Sequence, residues 1–202
     1  MRRIGGSDIA KLLGLSRYGG PLEVYQRIVE GIEEPWNPLM ERGAAMEPVL
    51  RAHAQRMLRL ELEELPEGGY VDSPEHEFAR AQIDDLGCWL GQPVVAEYKS
   101  KNRFVRGFGR SPYGDIVPED IYAQVAWQLM CTERELGLVV VGFGEDGPDG
   151  FDIHNVAAFE VERDPNFEAC CVQVAREFWE NHVLRCVPPA TKPVKRRKAV
   201  HV

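Results

Sequence analysis

Residues 83–100 read Ile-Asp-Asp-Leu-Gly-Cys-Trp-Leu-Gly-Gln-Pro-Val-Val-Ala-Glu-Tyr-Lys-Ser. Val94, Val95 and Ala96 lead an apolar strand into Glu97, Tyr98 and Lys99. On a strand, residues two apart point to the same face. Glu97 and Lys99 therefore share a face, and Tyr98 takes the other. Asp84 lies across a segment containing Gly87 and Gly91, so a hairpin would return it beside Glu97. An acid and a base on an apolar strand are costly unless they are paired or hold a metal. A Glu-x-Lys triplet alone also fits a simple ion pair on a solvated face. Among the lysines, however, only Lys99 has Glu two places before it. Two oxygen ligands beside an ammonium suit a magnesium ion that activates water against a phosphodiester.

The 202 residues suffice for one domain with a substantial core, and 44% are hydrophobic, which excludes a chain disordered by composition. No apolar run is long enough to predict a membrane span, and the N-terminal residues lack the apolar stretch of a signal peptide. Cys88, Cys131, Cys170, Cys171 and Cys186 show no Cys-x-x-Cys spacing. That argues against a zinc site or a disulfide framework and for a reducing cytosol. The formal net charge is −8. The segment 188–202 carries Lys192, Lys195, Arg196, Arg197 and Lys198 and no acid, so the remainder stands at −13. An acidic body can still bind a polyanion through a local basic groove, because screening confines charge effects to about 8–10 Å. We expect a single domain over 1–187 and a disordered basic tail over 188–202.

Outward from the central stretch, the pattern alternates helix and strand. Ser7 is placed to cap a short helix ending near Gly14. Pro21 starts a second, stopped by Gly31. The segment 33–38, with Trp36, reads as an irregular loop. A long helix is expected over 39–60, with Gly43, Met46, Leu50, Ala54 and Met57 at helical spacing and Glu47 on or beside that face. Strand-like segments at 69–72, 78–83 and 93–99 suggest an antiparallel meander. From Lys99 to Arg110 come Lys99, Lys101, Arg103, Arg106 and Arg110 without an acid, interleaved with Phe104 and Phe108. Cations for phosphates and rings for stacking suit a nucleic-acid track; a flexible solvated loop is the plainer alternative. A helix follows Pro118 and sets Gln124 and Gln128 one turn apart. Strands at 136–143 and 154–161 flank a Gly/Asp/Pro turn, and Asp164 caps a last helix over 165–184. The order predicts an α/β (α+β) fold, a central mixed sheet flanked by helices. No His among 53, 76, 154, 182 and 201 sits in a site pattern.

Five short motifs carry a resemblance. They are Gly-Gly-Ser-Asp-Ile-Ala at 5–10, Arg-Gly-Ala-Ala-Met-Glu-Pro at 42–48, Ile-Asp-Asp-Leu at 83–86, Glu-Tyr-Lys at 97–99 and Tyr-Ala-Gln-Val at 122–125. In this order and spacing the chain resembles the PD-(D/E)XK nuclease superfamily, within it the bacteriophage lambda exonuclease and YqaJ-like viral recombinase group. The resemblance implies a restriction-endonuclease-like core. It assigns Asp84, Glu97, the Tyr98 backbone carbonyl and Glu47 to the metal. Lys99 would orient or deprotonate the attacking water, and Gln124 would hold the lysine. Ser7 and Arg17 would grip a 5′-phosphate, with Arg2 or Arg3 standing in for an upstream arginine. Lys101, Arg103, Arg106 and Arg110 would follow the DNA. Asp85 falls where the family has glycine.

The implied reaction is magnesium-dependent 5′→3′ digestion of linear duplex DNA to mononucleotides, with manganese as a substitute ion. It leaves 3′ single strands for annealing-type recombination. The implied setting is a homotrimeric ring in the host-cell cytoplasm, of phage or prophage origin, working with a single-strand annealing protein. Two other readings share the pattern: a structure-selective endonuclease of the same fold, and a non-catalytic DNA-binding module. The iron–sulfur branch of the superfamily needs four suitably placed cysteines, which this sequence does not offer.

Overall fold

The computed structural model describes residues 2–112, 114–148 and 150–190; most of the basic tail lies outside them. In chain order the elements are α1 (Gly6–Leu12), α2 (Pro21–Tyr25), α3 (Pro38–His53), β1 (Glu61–Leu62), β2 (Tyr70–Asp72), β3 (Arg80–Gln82), β4 (Asp85–Trp89), β5 (Gln92–Asn102), β6 (Gly109–Ser111), β7 (Gly114–Ile116), α4 (Glu119–Thr132), β8 (Leu136–Gly147), β9 (Gly150–Glu162) and α5 (Pro165–Phe178). Helices α2, α3 and α5 each run on through a π turn, at Gln26–Glu30, Ala54–Leu58 and Trp179–Val183.

The hairpin expected around Asp84 forms. β4 and β5 pair antiparallel, with Asp85 opposite Ala96 and Trp89 opposite Gln92. Leu90 and Gly91 make the turn with φ of 51° and 82°. Two positive φ values give the tight hairpin whose twist matches its strands. The main sheet runs β1-β4-β5-β8-β9. β5 and β8 are parallel, and α4 lies in the connection that a parallel pair requires. β8 and β9 then return antiparallel. The sheet is mixed and helix-flanked, as the residue pattern predicts.

Period-two alternation divides the core. Val95, Val139, Val141, Phe159 and Val161 pack on one face with α1, α4 and α5. Val94, Ala96, Tyr98, Leu138 and Val140 pack on the other with Leu50 of α3 and Ala54 of the π turn after it. α4 settles closely on the first face. A Cβ added at Gly137 would lie 2.4 Å from Val125 Cγ1, so the glycine sets how near the helix comes to the sheet. No helix among the described residues is long and apolar enough to cross a membrane, and the five cysteines are free.

Four local expectations are corrected. Ser7 is not the helix cap: Gly5 occupies that position, and the Asp8 carboxylate accepts its N–H at 2.7 Å. The meander is broken into two ribbons. β2 and β3 form their own pair. They are anchored to α4 by Trp127 Nε1, which donates to the Ile4 and Arg80 carbonyls at 3.2 and 3.1 Å. Met57 is exposed, because the π turn adds a residue and moves it off the apolar stripe. Phe108 belongs to the core, 5.5 Å from the Phe143 ring and 5.2 Å from Phe159. β1 and the β6–β7 ribbon have no counterpart in the sequence reading. The Pro21 start, the Gly31 stop and the Asp164 cap appear as expected; Asp164 accepts from the Asn166 and Phe167 N–H groups at 2.9 and 3.2 Å.

Gly137→Ala should therefore overpack the α4–sheet contact and cost about 1–3 kcal/mol. For a chain of this size that lowers Tm by about 2–4 °C per kcal/mol. Adding Val125→Ala should restore part of the loss in thermal melts. An unchanged Tm for the single variant contradicts this packing.

Candidate functional site

β5 outruns β4. The last paired residues are Asp85 and Ala96, so Glu97 to Asn102 continue beside β8 alone. Asp84 sits at the step where β4 begins, and its carboxylate accepts the Tyr98 N–H at 2.9 Å. The side chain thus takes the place of a missing ladder partner and stands at the Glu97–Lys99 segment.

Glu97 is only 2% exposed. A buried carboxylate needs strong donors, and three side chains supply them. Lys99 pairs with Glu97 Oε1. Gln124 Nε2 donates to the same oxygen at 2.7 Å, and Gln128 Nε2 donates to Oε2 at 2.6 Å. Lys99 also donates to Gln124 Oε1 at 3.1 Å, which closes a ring of three residues and fixes the amide's orientation. Gln128 bridges to β3 through the Gln82 carbonyl at 3.1 Å. The two glutamines are one helical turn apart, so α4 presents both to the strand.

The charges act on one another. Burial, and then the nearby Glu97 carboxylate, push Asp84 up to about 8, against the opposing pull of Lys99 and the Tyr98 N–H. Burial alone would lower the Lys99 ammonium; the Glu97 and Asp84 carboxylates outweigh it and hold its pKa above the ordinary lysine value. Lys101 moves the other way, lowered by burial and then by the charge of Lys99, with Arg17 and Arg42 adding to it. Lys99, Arg17 and Arg42 therefore all lie near enough to Lys101 for their charges to act on it.

The opposite face holds a separate network that sequence reasoning missed. Arg51 Nε donates to the buried Asp85 carboxylate at 2.6 Å. Its Nη2 donates to the Asp84 main-chain carbonyl at 3.0 Å and lies 3.7 Å from Glu47. Arg51 follows Glu47 by one helical turn, a spacing that could have flagged it. Asp84 and Asp85 thus divide by strand alternation: one joins the Glu97 cluster, the other binds Arg51. Glu47 is half-buried and turned to Arg51, yet near enough for its charge to raise Asp84 further.

The remaining candidates scatter around this centre. Ser7, Asp84 and Gln124 line one cleft of about 500 Å³, with Arg2, Arg3 and Tyr70. Arg2 pairs with Glu33 and Arg3 with Asp72 at 2.5 Å. Arg17 is exposed, stacked 5.1 Å from the Tyr18 ring centroid, and does not line that cleft. Arg103 pairs with Glu145 at 3.2 Å and Arg110 with Asp115 at 3.7 Å. Arg106 is exposed. The geometry brings Asp84, Glu97, Lys99 and Gln124 together and leaves Arg17 and the later arginines outside.

Among the described residues, no three His, Cys, Asp or Glu side chains stand together as a metal cage. Glu97 faces Lys99 and the two glutamines, and Glu47 faces Arg51. The donor chemistry nevertheless suits a divalent cation. Asp84 and Glu97 are hard oxygen donors, and burial, then the nearby Glu97 carboxylate, favour the protonated form of Asp84; a cation would displace that proton.

The sign of the Asp84 shift gives a stability test. Its folded value of about 8 exceeds the usual 3.8, so the folded chain holds an extra proton between those limits. Stability contributed by Asp84 is then lost as pH rises through that window. Asp84→Asn removes the loss. In chelator, its Tm should exceed the parent's by more at about pH 9 than at about pH 5. A difference that does not grow with pH contradicts the assignment.

The YqaJ-like viral recombinase domain matches residues 1–135, well over half of the chain. Among solved structures, the chain is similar to an alkaline exonuclease from Laribacter hongkongensis. Identity is 18%, coverage 88% of this chain and 86% of that one, and the TM-score 0.61; the same enzyme is known in complex with dAMP. It is also similar to a phage-related exonuclease from Haemophilus somnus 129PT (10% identity, 91% and 96% coverage, TM-score 0.59). A SOX–DNA complex gives 11% identity, 92% and 66% coverage and a TM-score of 0.56. No curated protein matches the chain. At these identities the solved structures speak for the fold, and the domain match speaks for descent: the chain belongs to the YqaJ-like viral recombinase family.

Proposed function

We propose that this chain is a magnesium-dependent 5′→3′ exonuclease that digests linear duplex DNA to mononucleotides and leaves a 3′ single strand for annealing. The observation that carries this is the meeting of Asp84, Glu97, Lys99 and Gln124 at the free end of β5. The complexes of similar folds with dAMP and with DNA agree with a nucleotide-handling cleft.

Asp84, Glu97, the Tyr98 carbonyl and Glu47 would hold magnesium, or manganese in its place. The ion when bound supplies Lewis acidity at the phosphate and a more acidic water. Lys99 is held cationic by its two carboxylates, which suits it to offset phosphate charge and orient water rather than to take a proton. Gln124 is a positioning residue, because it fixes the Lys99 ammonium from α4. Ser7 shares the cleft with Asp84, which suits it to meet a terminal 5′-phosphate, with Arg17 approaching from the Lys101 side. Lys101, Arg103, Arg106 and Arg110 would carry the duplex away from the centre. The cellular setting we propose is the host cytoplasm, with a homotrimeric ring that turns basic residues inward and acids outward, beside a single-strand annealing protein.

Digestion of linear duplex labelled at either the 5′ or the 3′ end, with magnesium or chelator, tests the reading. We expect metal-dependent release of a 5′-terminal mononucleotide label first and no cutting of a closed circle. Lys99→Ala should lower the rate by roughly 10²–10³-fold, the scale for losing a charge-stabilising donor, while duplex affinity stays within about twofold. Equal cutting of the closed circle, or full activity of Lys99→Ala, contradicts it.

A further inference from the structure

Three residues beyond Lys99, β5 ends at Asn102 and the chain turns in a tied loop. The Asn102 carbonyl accepts the Val105 N–H at 2.9 Å, and the Arg103 N–H donates to the Gly144 carbonyl at 2.8 Å. The Asn102 side-chain oxygen accepts the Phe104 N–H at 3.1 Å. The loop is thus fastened to itself and to β8. At its tip Phe104 is 75% exposed. The Arg103 guanidinium lies 4.7 Å from the Phe104 ring centroid and is held by Glu145 at 3.2 Å.

This display is costly. Burying a Phe side chain is worth about 1.5–3 kcal/mol, and Phe108, four residues on, is buried among other rings. Phe104 is instead fixed in water beside cations. We infer that Phe104, backed by Arg103, is a stacking platform for an unpaired nucleobase: the base left on the undigested strand next to the duplex end. The inference rests on the proposed exonuclease reading. Phe104 is five positions after Lys99, so their Cα atoms lie at most about 18 Å apart, a few nucleotides at about 3.4 Å per step. Bases inside a duplex are already stacked on both sides. Hydrolysis of one strand frees its partner's bases, whose faces then need cover. Aromatic stacking accepts any base, and an adjacent guanidinium extends the platform. Lys101 and Arg106 form no ion pair among the described residues, which leaves their charge for the phosphates of the same strand.

The test is equilibrium binding in chelator, where no cleavage interferes. The probes are a blunt duplex and the same duplex with a short 3′ overhang carrying 2-aminopurine at its first unpaired position. We expect the wild type to prefer the overhang and to quench the fluorescent base. Phe104→Ala should lose about 5–150-fold in overhang affinity, the range for one stacked base, with blunt-duplex affinity and Tm unchanged. Phe104→Trp should keep both preference and quenching. An abasic overhang should bind the wild type and Phe104→Ala alike, because the lost ring and the lost base are the two halves of one contact. Equal overhang binding by the wild type and Phe104→Ala overturns the stacking role alone. Failure of the wild type to bind any DNA overturns it together with the nuclease reading.

Discussion

A carboxylate buried to within 2% of complete exclusion from water, Glu97, sets the terms for this fold. Unpaired, it would cost several kcal/mol. Its oxygens are met by one ammonium and two amides. Two of the three donors come from α4, so that helix must cross the sheet at a fixed height and rotation. The closeness of Gly137 to Val125 supplies the height, and the one-turn spacing of Gln124 and Gln128 supplies the rotation. The parallel β5–β8 pair leaves room for the crossing. The sheet order and the site's geometry are thus two consequences of one requirement.

Asp84 and Asp85 show how adjacent carboxylates reach opposite faces of the sheet and different partners. Asp85 finds a guanidinium on the α3 face. Asp84 stands just ahead of β4 among like charge, with one main-chain N–H and the Lys99 ammonium to offset it. A carboxylate whose pKa burial raises in a cleft is a candidate functional position. Arg51 links the pair, because it holds the Asp84 carbonyl and the Asp85 carboxylate with one side chain. The acid beside Glu97 is therefore placed from below the sheet as well as from above it.

Much of this was legible in the residues. Period-two alternation over 94–99 put Glu97 and Lys99 on one face, and a turn that tolerates Gly91 brought Asp84 back to them. The alternation of helical and strand-like segments was enough for a mixed sheet. What escaped were features decided by contacts distant in sequence. Gly5 took the cap position that Ser7 was suited for, and the Asp8 carboxylate holds its N–H while also accepting from Arg27 Nε at 3.2 Å. The strands at 70–72 and 80–82 left the main sheet for α4, which offered indole and amide donors. The π turn after α3 shifted Met57 out of phase. Arg51 has no signal in the sequence beyond its one-turn spacing from Glu47, because its partner Asp85 lies on a distant strand. Phe104 and Phe108 read alike in sequence, and only packing against Phe143 and Phe159 told them apart.

The central proposal is that Asp84 and Glu97 together bind a divalent cation, and calorimetric titration with magnesium tests it most directly. Run at about pH 7 in two buffers of different ionisation heat, it should report close to one proton released per bound ion, falling toward none by about pH 9. Magnesium binding without proton release at neutral pH, or no binding at either pH, contradicts the account.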